Sequence, residues 1–119
     1  MRFRFKNFKI YQSSKEFCKF CRDLVKKQIR SQDKELASQI ERALSSIVLN
    51  IAEGSADHSD VEFARFLGIS IRSVYETVAG FDLALLYEMI TPEQNEKIES
   101  DAHELVKQLA AFRNSLKKE

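Results

Sequence analysis

Gln39-Ile40-Glu41-Arg42-Ala43-Leu44-Ser45-Ser46-Ile47-Val48-Leu49-Asn50-Ile51-Ala52-Glu53-Gly54 reads as a helix carrying two stripes. Leu36, Ile40, Leu44, Ile47 and Ile51 recur with gaps of four, four, three and four, the spacing of a core-facing side. Gln39, Arg42, Ser46, Asn50 and Glu53 recur with gaps of three, four, four and three and form a polar row beside it. Gly54 is expected to stop the helix, because glycine enters the left-handed C′ conformation without a Cβ penalty. A polar row this regular meets either water, the usual fate of such stripes, or a partner. Ser46 and Asn50 are mediocre helix formers, so their place in mid-helix suggests a specific task.

The same periodicity extends in both directions. Four amphipathic segments are predicted at about 7–30, 34–53, 60–88 and 92–117, within a single domain over 1–119. Asn7 is the expected N-cap of the first and Asp33 of the second. After the turn at Ser55-Ala56-Asp57-His58, Ser59-Asp60-Val61-Glu62 matches a capping box, with Ser59 accepting from the Glu62 amide and Glu62 reaching back. Thr91-Pro92-Glu93-Gln94 is a second box with proline at N1. In the third segment Phe63, Leu67, Val74, Val78, Phe81 and Leu85 make one apolar stripe. Phe66, Ile69, Ile71, Tyr75, Leu83 and Leu86 add apolar surface elsewhere on it. A helix apolar on more than one side is buried on more than one side, and in a chain of 119 residues another subunit is the expected cover. Short connections between long helices predict an all-α, antiparallel up-down-up-down four-helix bundle.

Composition fits that class: one proline, three glycines and 31% charged residues describe a helical protein with few turns. No apolar run approaches the roughly 18–20 residues that span a bilayer, and the N-terminus does not resemble a signal peptide. With only Cys18 and Cys21, a reducing cytoplasm is expected and no disulfide framework. The net charge of +1 conceals an asymmetry. Residues 1–34 carry eleven basic side chains against three acidic ones, whereas residues 35–112 carry five against fourteen. A basic start and an acidic remainder either attract each other, within or between subunits, or leave the start to face an acidic partner such as nucleic acid.

Arg2, Arg4, Lys6, Lys9, Lys15, Lys19, Arg22, Lys26, Lys27 and Arg30 are the candidate nucleic-acid contacts. Interleaved with Phe3 and Phe5, they offer phosphate neutralisation and stacking platforms, the two needs of a single-stranded RNA surface. The alternative is plain: Lys15, Lys19, Arg22 and Lys26 also have the spacing of an ordinary solvated helix face. Cys18-Lys19-Phe20-Cys21 has CxxC spacing but lies in mid-helix, so buried small apolar side chains are the better reading. A zinc site would need His58 or His103, which stand apart in sequence. There is no glycine-rich phosphate loop, nucleophile elbow or Glu-x-x-His pair, so neither catalysis nor a cofactor is expected.

Taken in order, Gln39-Ile40, Arg42-Ala43, Ser46-Ile47, Asn50-Ile51-Ala52-Glu53-Gly54, Glu62-Phe63, Phe66-Leu67 and Ser73-Val74-Tyr75-Glu76 resemble a known pattern. It is that of the bacterial four-helix-bundle proteins encoded in 23S rRNA intervening sequences. The opening Phe5-Lys6-Asn7-Phe8-Lys9-Ile10-Tyr11-Gln12 is similar too, so the resemblance covers nearly the whole chain. Two positions depart from it: Val48 replaces a usual proline, and Arg72 a usual glycine. The resemblance implies a homopentameric ring. It assigns Gln39, Arg42, Ser46, Asn50, Glu53, Gly54, Phe66, Ser73 and Glu76 to the family motif and to assembly. It also favours a subunit contact for the polar row, or a hydrogen-bonded network with Arg65, Arg72 or Glu76. A more distant branch with this architecture, the accessory protein of diversity-generating retroelements, binds reverse transcriptase and RNA. Expected partners are therefore the chain itself, RNA, or a reverse transcriptase, the remaining alternative being a structural protein with no ligand.

Overall fold

The computed structural model describes residues 2–56 and 59–116; the turn residues Asp57 and His58 lie outside the described residues. A 3-10 turn at Arg4–Asn7 leads into α1 (Lys9–Leu24), which continues as a π-helical turn over Val25–Ile29. Then follow α2 (Lys34–Gly54), α3 (Asp60–Leu86) and α4 (Pro92–Leu116). The described residues form a four-helix, all-α bundle measuring 47 × 23 × 19 Å. The long dimension suits α3, whose 27 residues span about 40 Å at the α-helical rise. No helix among the described residues is long and apolar enough to cross a membrane.

Local chemistry sets the helix ends. Asp33 accepts from the Leu36 amide at 3.0 Å and starts α2. Thr91 and Gln94 form both halves of a capping box, at 3.0 and 3.1 Å. Ser59 accepts from the Glu62 amide at 3.2 Å, but the Glu62 carboxylate does not reach back; it takes Arg65 instead at 3.0 Å. Asn7 does not cap α1. It ends the 3-10 turn, and Phe8 holds the N-cap position without a side-chain bond. In the π turn the Arg30 amide bonds to Val25 oxygen at 2.9 Å. Four-residue steps in a regular helix drift forward by about 40°. The underwound turn absorbs that drift and keeps both Val25 and Ile29 fully buried.

Burial follows the stripes. Ile40, Leu44, Ile47 and Ile51 of α2 meet Phe63, Leu67, Val74 and Phe81 of α3 in one hydrophobic cluster that also takes residues from α1 and α4. Ile71, expected on the second face of α3, belongs to this core, while Tyr75, Leu83 and Leu86 of that face remain exposed. Helix α2 packs along α3 and α3 along α4, and α1 closes against α2 and α4.

Small residues bring α2 and α3 unusually close. Gly54 is the last residue of α2 and has no positive φ, so its expected left-handed role is not the one it plays. A Cβ there would lie 2.6 Å from Phe66 Cβ and 2.9 Å from Phe63 Cδ1, closer than packed carbons approach. Gly80 serves the other end of the seam, where a Cβ would lie 2.6 Å from Ile40 Cγ1. Between them Ser70 Oγ donates across the seam to the Ile47 carbonyl at 2.8 Å. Helix α2 runs without interruption through Val48, and Arg72 is exposed.

Helix α3 ends with Glu88 at φ 62°, the single non-glycine residue with positive φ among the described residues. The Glu88 and Met89 amides return to the Leu85 and Ala84 carbonyls at 3.0 and 2.8 Å, a Schellman closure made without glycine. Two substitutions therefore act in opposite directions in urea unfolding. Gly54→Ala is expected to cost about 1–3 kcal/mol by overpacking. Glu88→Gly is expected to gain up to about 1 kcal/mol by relieving the left-handed backbone. A neutral Gly54→Ala would contradict the close seam.

Candidate functional site

Helix α1 turns Ile10, Phe17, Cys21 and Leu24 inward, which places Lys15, Lys19, Arg22 and Lys26 on its outer side, all exposed. These cations differ in what they touch. Lys19 pairs with Asp23 at 3.6 Å on its own helix, and the Lys15 ammonium stands 4.9 Å from the Tyr11 ring centroid. Arg22 and Arg30 converge on Glu41 of α2; Arg22 Nε lies 3.6 Å from its carboxylate, and Arg30 forms the closer pair. The hydrogen bond to Glu41 raises the Arg30 pKa, opposed in part by desolvation. Part of the basic start is thus neutralised within the chain. Sequence reading passed over Glu41; its signal was a carboxylate at the edge of the α2 core stripe, next to a neighbour rich in cations.

Arg2, Lys6, Lys9, Lys26 and Lys27 are exposed and have no ion pair among the described residues. Arg4 has another task. Its Nε donates to the Ser55 carbonyl at the end of α2 at 3.0 Å, and its guanidinium lies 5.8 and 5.6 Å from the Phe8 and Phe63 ring centroids. Those rings pack with Phe112 of α4 at centroid distances of 5.3 and 5.5 Å. Arg4 therefore anchors the N-terminal turn to the bundle end, where it is less free to meet a phosphate.

The α2 polar row is divided. Its middle forms a network with α3: Asn50 Nδ2 donates to Ser46 oxygen at 2.8 Å and to Ser46 Oγ at 3.0 Å, while Ser73 Oγ donates to Ser46 Oγ at 2.8 Å. The partner is Ser73 rather than Arg65, Arg72 or Glu76; Arg65 binds Glu62 and stacks over Phe66 at 4.7 Å. The remaining members, Gln39, Arg42 and Glu53, stay exposed, as does Glu76. Gln39 and Glu76 share a shallow depression over Gly80. At the far end Gln28 and Gln94 exchange amide bonds at 3.0 and 2.8 Å, a clasp between the π turn and α4 that sequence spacing does not reveal.

Cys18 donates its S–H to the Leu44 carbonyl at 3.1 Å, and Cys21 is fully buried. Burial pushes the Cys18 thiol up from 9.0 to about 12. It pushes Cys21 up as well, with Cys18 and Asp101 adding to the shift. These are protonated packing groups, the opposite of an activated thiolate. Among the described residues no cluster of three or more His, Cys, Asp or Glu is placed to hold a metal.

The family described as 23S rRNA-intervening sequence protein matches residues 6–111, and the chain belongs to it. The fold is similar to a crystal structure from Bacteroides thetaiotaomicron, described as a protein of unknown function from the S23 ribosomal protein family. Identity to it is 31%, the TM-score is 0.79, and the match covers 92% of this chain and 99% of that one. No curated protein matches the chain.

The raised thiols carry a pH consequence. Both are neutral when folded and return toward 9.0 on unfolding, so their contribution to stability is complete below about pH 9. Above that the unfolded chain releases the protons first, and the contribution is lost as pH climbs toward about 12. Urea midpoints should fall between about pH 9 and 11. They should fall less steeply in a Cys18→Ala/Cys21→Ala chain compared with its own value at neutral pH.

Proposed function

We propose that this member of the 23S rRNA-intervening sequence protein family is a non-enzymatic, ring-forming helical bundle that binds RNA or a ribonucleoprotein through its basic first helix and the segment before it. The observation that carries the reading is the set of exposed cations Arg2, Lys6, Lys9, Lys26 and Lys27, none of which has an ion pair among the described residues. Glu41 takes up Arg22 and Arg30, whereas no described acidic side chain pairs with these five, which would suit an external anion. A ring would repeat that surface around an axis, and avidity would then offset the low net charge of each copy.

Two features support the architectural part. Contacts along the α2–α3 seam run 54 with 66, 47 with 70, 46 with 73 and 40 with 80, the pattern of antiparallel neighbours in an up-down-up-down bundle. On α3, Val61, Tyr75 and Leu86 are 76, 66 and 69% exposed, apolar surface that a second copy would cover. Five copies is the number the family resemblance implies. The protonated thiols, Cys21 buried and Cys18 half-buried, suit work in a reducing cytoplasm.

Anisotropy of a labelled single-stranded RNA tests the reading. Affinity is expected to fall at least tenfold, on the order expected for several released counterions, between about 50 and 200 mM salt. Lys9→Glu/Lys26→Glu/Lys27→Glu should weaken binding and flatten that dependence. RNA left unbound at micromolar protein and low salt would overturn it, in favour of an adaptor that docks a protein such as a reverse transcriptase.

A further inference from the structure

The residues before α1 are more firmly tied than an N-terminal extension requires. Arg4 bonds to Ser55 and lies against Phe8 and Phe63, Phe5 meets Tyr11 edge-on at 4.8 Å, and Gln12 donates to the Lys6 carbonyl at 2.6 Å. Such anchoring would ordinarily bury the apolar side chains of the segment. Phe3 nevertheless stays 56% exposed, and Leu49 on α2 stays 62% exposed. Both line a cleft of about 780 Å³ between the turn and the end of α2. That volume lies within the roughly 300–1,000 Å³ range of small-ligand sites.

The polar groups of the cleft narrow the ligand. Arg2 and Glu53 line it, both exposed and neither with an ion pair among the described residues. Walls supplied by Phe3, Phe5, Leu49 and Ala52 suit a flat ring with apolar faces. Arg2, with Lys6 and Lys9 exposed nearby in sequence, suits an attached phosphate. A carboxylate can only accept, and its two oxygens match two parallel N–H donors. Guanine is the base whose Watson–Crick edge places two donors side by side, N1–H and the N2 amino group. Adenine and cytosine set one amino group beside an acceptor, and uracil flanks a single N–H with two carbonyls.

We propose that this cleft is a pocket for one unstacked guanine nucleotide of an RNA strand, with Phe3 as the stacking platform, Glu53 accepting from the base edge and Arg2 at the phosphate. The proposal rests on the RNA-binding reading above and adds base selectivity to it. Exposed aromatics flanking a basic surface are how unstacked bases of single strands are read.

The test uses the full chain and short unstructured RNAs that differ at one central position: guanine, inosine or adenine. Guanine is expected to bind about tenfold tighter than adenine. Inosine, which lacks the N2 amino group, should fall between them. Glu53→Gln should abolish the preference while keeping the steep salt dependence. Phe3→Leu, which retains an apolar side chain but no flat ring, should weaken all three RNAs by about fivefold. Both positions are exposed, so the variants are expected to keep their helical circular dichroism, which is measured alongside. RNA bound with steep salt dependence but equal affinity for the three bases would overturn the pocket and leave the RNA reading standing. A guanine preference that survives Glu53→Gln would do the same. RNA that fails to bind at any salt would remove both.

Discussion

The close approach of α2 and α3 is the constraint on which the rest of the bundle depends. Two glycines admit it, Gly54 under Phe66 and Gly80 against Ile40, and between them Ser70 reaches the Ile47 carbonyl directly. A side-chain hydroxyl bonds to the backbone of a neighbouring helix only when no large residue separates the two. The small residues thus exchange side-chain volume for proximity, and the buried hydroxyl is satisfied by the carbonyl that proximity brings within reach. Ile40 and Phe63, which pack against these glycines, also belong to the hydrophobic cluster that α1 and α4 close.

What faces outward follows from that arrangement. Because Ser46 is drawn toward Ser73, the central part of the α2 polar row binds α3, and only its ends, Gln39, Arg42 and Glu53, face solvent. Because α2 and α3 meet near Gly54, the carbonyl of Ser55 is presented at the bundle end, where Arg4 takes it. A guanidinium at a helix C-terminus is favoured by the helix dipole as well as by the hydrogen bond. The clustered Phe8, Phe63 and Phe112 rings beside it provide a second hold. The seam and the N-terminal turn are therefore physically continuous. One fixes where α2 ends, and the other uses that end to hold the basic-aromatic segment in place.

The parts of this architecture carried by periodicity were legible in the sequence. The Ile40–Ile51 stripe is buried in the core, and Asp33, Ser59 and Thr91 each accept the helix amide expected of them, because stripes and caps are decided within a few residues. What escaped was decided by neighbours distant in sequence. Helix α2 does end at Gly54, but not through the left-handed conformation expected; Phe66, twelve positions away, makes it a packing residue. Arg4 looked like one more phosphate contact, yet Ser55 and Phe63 claim it. The π turn adjusts the register of α1 to its surroundings and has no local marker. Of the polar row, only Ser46 bonds across to α3, and its partner is a serine, too ordinary a residue for spacing to single out; Gln39, Arg42 and Glu53 face solvent.

We propose that the apolar surface left on α3 is covered in an assembly, so that the working unit would be a ring whose repeated basic helices meet RNA. Its most direct test is the solution mass of the native chain by multi-angle light scattering at micromolar concentration and moderate salt. The account predicts a single species at a multiple of 13.8 kDa, with five copies the number the family implies. A monodisperse species at 13.8 kDa would contradict it.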